Sequence, residues 1–468
     1  MQNHIGIIGG GIAGSTVATR LTAEGYKVTL LESGKSLVNG PPICHLHAGG
    51  NLYRDLSDDA CLILLKQSID TLKYYTHAIN FRPTVIAVPN RDQGHKINLV
   101  PRLEKLRSYY QELIAEDPGN EVLGKAKDYF RVYTKDDLTT LAKLQQPASP
   151  QTPDDWMIPF AQAINISDFK GDFYLVQEYG VSLFRLSATV SLKLEKEESC
   201  QIITEAEVIK VDANEQGWTL KYRKNNQEST IDVDFLVNAA GFRTGEIDDL
   251  LGFKRQRMAE LKAAYISQWP TQKGIWPEVI FHGIRGTKDG MASMTPYPNH
   301  YMQLHGMTEN ITLFKDGLSK STETSAQPQV KPEHLQKVDL GWEREEVIER
   351  TQNAINHITA LVPSFSSASV GGKPLFGIQQ IPGLDASCRT ADTSFEDENY
   401  ARVETIKLSS TLLAADKVVD KLKNGKFTPG KPIELVELNY IEVESEARKI
   451  AISRGYPDDL AKRVACSK

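Results

Sequence analysis

Residues 4 to 34 read HIGIIGGGIAGSTVATRLTAEGYKVTLLESG. β-Branched residues lead into the glycines, apolar positions then recur at helical spacing through Val17 and Leu21, and a second apolar run, VTLLE, closes the stretch. That order is strand, tight turn, helix, strand, which is one βαβ unit. Within it Gly9 permits the sharp turn, Gly11 lets a pyrophosphate approach the backbone, and Gly14 lets the helix pack close to the strand. Ile12, Ala13 and Gly14 form the amide-rich helix start that faces phosphate. Glu32, followed by Ser33, ends the second strand where a carboxylate hydrogen-bonds a ribose diol, and no arginine follows to meet a 2′-phosphate. The stretch predicts a Rossmann-like α/β domain holding a dinucleotide diphosphate.

A chain of 468 residues exceeds what one core usually holds, so a second domain is expected. The net charge of -6 comes with no basic stripe, which argues against nucleic acid as a partner. Cys44, Cys61, Cys200, Cys388 and Cys466 are scattered and form no CxxC pair, so neither a disulfide framework nor a metal site is expected, and a reducing cytoplasm fits best. The N-terminal residues lack the pattern of an export signal, and no apolar run is long enough to span a membrane.

Further blocks carry a resemblance. STIDVDFLVNAAGFRTGEIDDLLG (Ser229 to Gly252) is a turn, a buried-type strand and a glycine break, with Ala239, Ala240 and Gly241 small enough for a ligand to pass close. It follows EAEVIKV around Val208 and precedes ASVGGKPLFGIQQIPG (Ala368 to Gly383) and YARVETIKLSSTLLAADKVVDKL (Tyr400 to Leu422). In this order the blocks resemble the FAD-dependent oxidoreductases of the D-amino acid oxidase superfamily, with glycine and sarcosine oxidases, dimethylglycine dehydrogenase and malate:quinone oxidoreductases among its members.

The resemblance implies FAD, with Val208 touching adenine through its backbone and Gly372 and Lys373 beside the isoalloxazine. Lys373 stands where many members carry arginine. The closing helix would point its positive end at the flavin pyrimidine, with IKLSS around Ser409 in place of the usual glycine-rich entry. The loop His47, Ala48, Gly49, Gly50 and Asn51 would lie against the ring. Its HAGG is similar to a segment in which dimethylglycine and sarcosine dehydrogenases link histidine to flavin, and we read His47 and Asn51 as non-covalent contacts.

The expected architecture is a discontinuous FAD-binding domain from residues 1–90, 165–250 and 355–430. A mainly antiparallel β-sheet substrate domain comes from 91–164 and 251–354, followed by a helical tail, 431–468. The sheet is expected to roof the flavin through the strands HYMQLHG and ITLF, while Phe314 to Pro332 reads as an exposed loop. Alternation puts His300, Met302 and Leu304 on one face of HYMQLHG and Tyr301, Gln303 and His305 on the other, so only one of the histidines can face the ring. Tyr297, His300, Tyr301 and His305 are candidates to bind or deprotonate substrate, with His282 nearby. Arg285 and Lys373 are candidate carboxylate clamps.

The function read from these residues is oxidation of a small amine or 2-hydroxy acid by hydride transfer to flavin N5. Oxygen, a quinone or another carrier would serve as acceptor. A flavin monooxygenase or halogenase is disfavoured because no second GxGxxG is present to hold NAD(P)H and no Gly-Asp segment occurs late in the nucleotide domain. A non-catalytic flavin-binding protein is the remaining alternative.

Overall fold

The structure, a computed structural model, describes residues 2–40, 46, 56–94, 98–386, 388 and 392–464. The opening strand His4–Ile8 pairs in parallel with Lys27–Leu31 on one side and Phe235–Asn238 on the other, with Ile5 opposite both Val28 and Phe235. Cys200–Ile203 and Tyr400–Glu404 extend this sheet in parallel, and Asp392–Asp397 closes it as an antiparallel edge, giving six strands. Both faces are covered, which is why the central strands His4–Ile8, Lys27–Leu31 and Phe235–Asn238 are largely apolar and buried without alternation. The helices Ile12–Ala23, Leu183–Glu195 and Thr411–Lys423 bury Val17, Leu186 and Val418 with Ile5 and Ile7 on one face. A three-stranded antiparallel sheet, Glu207–Ala213, Trp218–Lys224 and Gln227–Val233, packs Trp218, Leu220 and Val233 against Ile8, Leu31 and Leu236 on the other.

A second, larger sheet is mostly antiparallel and centres on the long strand Arg257–Gln268. Tyr301–Gly306, Ala292–Pro296 and Glu278–Phe281 follow on one side, then Thr84–Ala87 in the sheet's parallel pairing, then Phe173–Val176 and Phe130–Tyr133. Leu375–Pro382 runs antiparallel along the other edge of the long strand, with Gln379 opposite Glu260 and Gly377 opposite Lys262. Strands from 1–90, 165–250 and 355–430, the stretches expected to build the nucleotide domain, therefore also enter this second sheet. The sheet's two faces are distinct. Tyr265, Met294, Met302 and Leu304 pack with Phe160 and Ile355 of the helices Pro153–Ala163 and Arg344–Thr359, whereas Ile86, Ile266, Tyr297 and Leu375 join the core that contains Ile5, Ala13 and Ala239. The second sheet thus presents one face to the nucleotide sheet.

A buried ion cluster ties the two sheets together. Asp248 accepts from Arg257 (2.5 Å), from Arg402 (2.8 Å) and from the Tyr400 hydroxyl (2.7 Å), while Glu404 accepts from Arg257 (2.8 Å) and Arg255 (3.1 Å). All four of Arg257, Arg402, Asp248 and Glu404 are buried, and every charge in the group meets its opposite.

Two local expectations are corrected. The segment ITLF, Ile311 to Phe314, is not a strand: it forms turns, with the Thr312 backbone amide donating to Gly306 O and the Thr312 hydroxyl accepting from Gly306 N. Inside the stretch read as a polar loop, Leu318–Lys320 pairs with Met258 to Glu260 as a short edge strand. Among the described residues no helix is long and apolar enough to cross a membrane.

Candidate active site

The glycines of the first turn have different neighbours. At Gly9, with φ +100°, a Cβ would lie 2.4 Å from the Ala239 carbonyl oxygen, and at Gly14 it would lie 1.9 Å from that of Gly9. These two are required by the chain's own backbone. At Gly11 nothing among the described residues lies within 4 Å, and no side chain caps the helix Ile12–Ala23 that begins beside it. Gly11 therefore keeps space open before uncapped helix amides, a cradle that a Cβ would partly fill and that suits a diphosphate. The Glu32 carboxylate accepts from the amides of Gly10 and Gly34, each at 2.6 Å. A carboxylate has about four acceptor positions, so capacity remains for ribose hydroxyls. Burial raises the Glu32 pKa, opposed by those two amides.

Two of the other expected groups of cofactor contacts lie beside this cradle. Ala239 N donates to Ile8 O at 2.9 Å and carries Ala240 and Gly241 past the turn, and a Cβ on Gly241 would meet nothing within 4 Å among the described residues. Ala206 N donates to Glu32 O at 2.9 Å, which brings the strand bearing half-buried Val208 to the end of the Glu32 strand; Ser33 is exposed there. At the closing helix, Ser410 and Thr411 turn their hydroxyls back onto the carbonyls of Lys407 and Leu408, both at 2.8 Å, and leave the helix start without a side-chain cap. The Ser409 hydroxyl is buried and has no hydrogen-bond partner among the described residues. An orphaned hydroxyl at an uncapped, positive helix end fits the polar edge of a flavin. His47, Ala48, Gly49, Gly50 and Asn51 lie outside the described residues.

On the sheet face that meets the nucleotide sheet runs a polar row. The Tyr297 hydroxyl donates to Gln303 Oε1 at 3.0 Å, and the Gln303 amide donates to His305 Nε2 at 3.1 Å. Gln303 has only donors on that nitrogen, so His305 Nε2 is an unprotonated acceptor and the ring is neutral. Burial, with Lys262 nearby, holds the His305 pKa down at about 4. Lys262, on the adjoining long strand, donates to Gln379 Oε1 at 2.7 Å and pairs with Glu260 at 2.9 Å, and Gln379 in turn donates to the carbonyl of Ile406, just before Ser409. Lys262 and Gln379 therefore link the roof sheet to the segment leading into the closing helix.

Of the other sequence candidates, Tyr301 shares the face of the row and the rest fall elsewhere. His300 is not in the strand. It is exposed, and with Asn299 it forms the turn between Ala292–Pro296 and Tyr301–Gly306, at φ of 66° and 55°. Two left-handed residues in succession make the tight hairpin that matches strand twist, and this removes His300 from the roof face. Tyr301 is half-buried on the Gln303 face. Arg285 is paired with Glu260, which also holds Lys262, so its guanidinium is committed to the protein's own carboxylate. Lys373 is exposed, with its Nζ 4.5 Å from the Tyr456 ring centre, and Pro457 lies 3.4 Å from a Cβ built on Gly372, so the C-terminal segment lies against both. His282 is buried at the end of Glu278–Phe281. Lys262, Gln303 and Gln379 were not singled out by sequence. Their only signal is polarity inside strand-like stretches.

The profile of the family described as FAD dependent oxidoreductase (DAO) matches residues 4–372. Among solved structures, glycine oxidase from Geobacillus kaustophilus superposes with a TM-score of 0.56 at 12% identity, covering 93% of this chain and 100% of that one. FAD-bound L-alpha-glycerophosphate oxidase from Mycoplasma pneumoniae gives 0.57 at 14% identity, covering 94% and 100%, respectively. L-amino acid deaminase from Proteus vulgaris gives 0.57 at 11% identity, with 94% and 96% covered. At such identities the likeness is one of fold. No curated protein matches the sequence.

Proposed function

The chain belongs to the FAD dependent oxidoreductase (DAO) family, and on that premise we propose that it oxidises a small carboxylate-bearing amine or 2-hydroxy acid at the polar row Tyr297, Gln303 and His305. Bound FAD supplies the two-electron acceptor for a hydride leaving the substrate carbon. The single observation carrying the proposal is that this row, with Lys262 beside it, lines the sheet face turned toward the dinucleotide cradle. The matched structures of a glycine oxidase and an L-amino acid deaminase support the same class of substrate.

Each member of the row has a distinct task in this reading. Tyr297 gives its hydrogen to Gln303, so toward a ligand its oxygen offers only acceptor lone pairs, suited to a substrate N–H or O–H. Gln303 is fixed at both ends and fixes Tyr297 in turn. Neutral His305 sets the Gln303 orientation without adding a charge beside the reacting carbon. Lys262 and Arg285 share the single Glu260 carboxylate, which leaves one net positive charge on the roof, where a substrate carboxylate would be drawn. Oxygen, a quinone or another carrier completes the cycle. With the most active member of a panel of small amino acids, N-methyl amines and 2-hydroxy acids, Tyr297→Phe is expected to slow flavin reduction about tenfold. An unchanged rate would remove Tyr297 from the site.

A further inference from the structure

The helix Tyr440–Ser453 ends at Arg454, whose guanidinium enters the loop that follows Glu32. Its Nε donates to Ser36 Oγ at 3.0 Å, one terminal nitrogen to Val38 O at 3.0 Å, and the other to Leu37 O at 2.5 Å and Ser187 Oγ at 3.0 Å. Ser187 Oγ itself donates to Leu37 O at 2.7 Å. Arg454 thus grips three successive loop residues, with Ser187 as a second support.

Val38 explains why so many contacts are needed. It is buried and sits at φ 58°, in the left-handed region that a β-branched residue avoids. From that conformation its amide donates to Gly10 O at 2.8 Å, while the Leu37 side chain closes over Gly10, where a Cβ would come within 2.6 Å of it. Gly10 is the residue whose own amide is held by Glu32. The strained turn is therefore bonded directly to the dinucleotide cradle, and Arg454 is what holds the turn. The same C-terminal segment is anchored on the roof side by the Tyr456 hydroxyl donating to Pro374 O at 2.7 Å and by Asn299 donating to Asp459 at 2.6 Å.

We propose that Arg454 is a positioning residue for the adenosine end of FAD, keeping the left-handed Val38 turn against the glycine loop so that Gly10 and Glu32 are set before the cofactor arrives. The proposal rests on the family's use of FAD. Without Arg454 the turn would relax toward negative φ and withdraw the Val38 amide from Gly10. A glycine at position 38 adopts the same conformation without that strain.

The test is the equilibrium Kd for FAD of the apoprotein, together with its Tm, for the wild type, Arg454→Ala, Val38→Gly and the double variant. Arg454→Ala is expected to raise Kd about tenfold or more, Val38→Gly alone to leave it within about twofold, and the double variant to return to within about threefold of the wild type. An unchanged Kd in Arg454→Ala overturns the proposal. So does a raised Kd that Val38→Gly does not restore, since that would make Arg454 a general anchor of the fold. Should Arg454→Ala not fold, Arg454→Gln keeps part of the packing and is held to the same rise and the same rescue. A wild type that binds no FAD would instead contradict the family reading.

Discussion

Gly11 and Gly14 belong to one turn, yet substitution should separate them. At Gly14 a methyl group collides with the Gly9 carbonyl, so Gly14→Ala is expected to lose both fold stability and FAD. At Gly11 the space is open, so Gly11→Val should retain a Tm close to wild type and copurify without flavin colour. A Gly11→Val protein that stays yellow would show that the open space is not the diphosphate cradle. His305 gives a second test at this scale. Its folded pKa of about 4 lies below the ordinary 6.5, so above pH 6.5 both folded and unfolded rings are neutral and contribute nothing. As pH falls from 6.5 toward 4, the unfolded chain takes up the proton first and stability declines, by at most about 3 kcal/mol. His305→Asn should flatten that part of the stability profile, and an unaltered slope would mean that the ring is not buried neutral. The glycines were legible because side chains missing between an apolar strand and a helix, ahead of an acid-ended strand, signal a backbone that something must approach closely. His300 was misplaced because Asn-His lacks the glycine that usually marks a tight hairpin turn.

Strands and helices are joined here by polar contacts whose cost on removal is calculable. Asp248, on the helix Thr244–Leu251, neutralises Arg257 of the roof sheet and Arg402 of the nucleotide sheet. Asp248→Asn keeps the shape but leaves two buried guanidiniums short of charge, and it is expected to destabilise by about 3–5 kcal/mol, read as a lower midpoint in denaturant. A shift below about 1 kcal/mol would mean that the cluster is a passive neighbour of the fold. The first βαβ unit was readable because its apolar run is continuous and its helix periodic. Of the roof's polar row Tyr297 and His305 were legible as candidates, whereas Gln303 and its neighbour Lys262 were not, since a polar residue inside a strand stretch carries no signal of its own until a second sheet is known to cover it. ITLF has strand composition, but the bonds from Thr312 to Gly306 fold it into turns instead.

Across the whole molecule, distant parts of the chain build both the cradle and its roof. The cradle draws on the glycine loop, Ala239 to Gly241 and Ser409, and the roof on strands as far apart as Thr84–Ala87 and Leu375–Pro382. The stretches 4–34, 229–252 and 400–422 each place a strand in the nucleotide sheet, whereas the block 368–383 gives Leu375–Pro382 to the roof. The contributions of Thr84–Ala87 and Phe173–Val176 to the roof carry no glycine or small-residue signature, and pairing partners are set by three-dimensional register. The C-terminal segment was legible as a helical tail, while the destination of Arg454 depends on a loop more than 400 positions earlier in the chain. The central claim is that FAD sits in this cradle and takes electrons directly from a small substrate under the roof. Its most direct test is the visible spectrum of the purified, oxygen-free holoprotein during addition of a panel of small amino acids, N-methyl amines and 2-hydroxy acids, and separately of NADH and NADPH. Stoichiometric bleaching of the flavin band by a member of the panel, with neither nicotinamide acting at a comparable rate, is the predicted result; rapid bleaching by NADPH with no response to any substrate would contradict it.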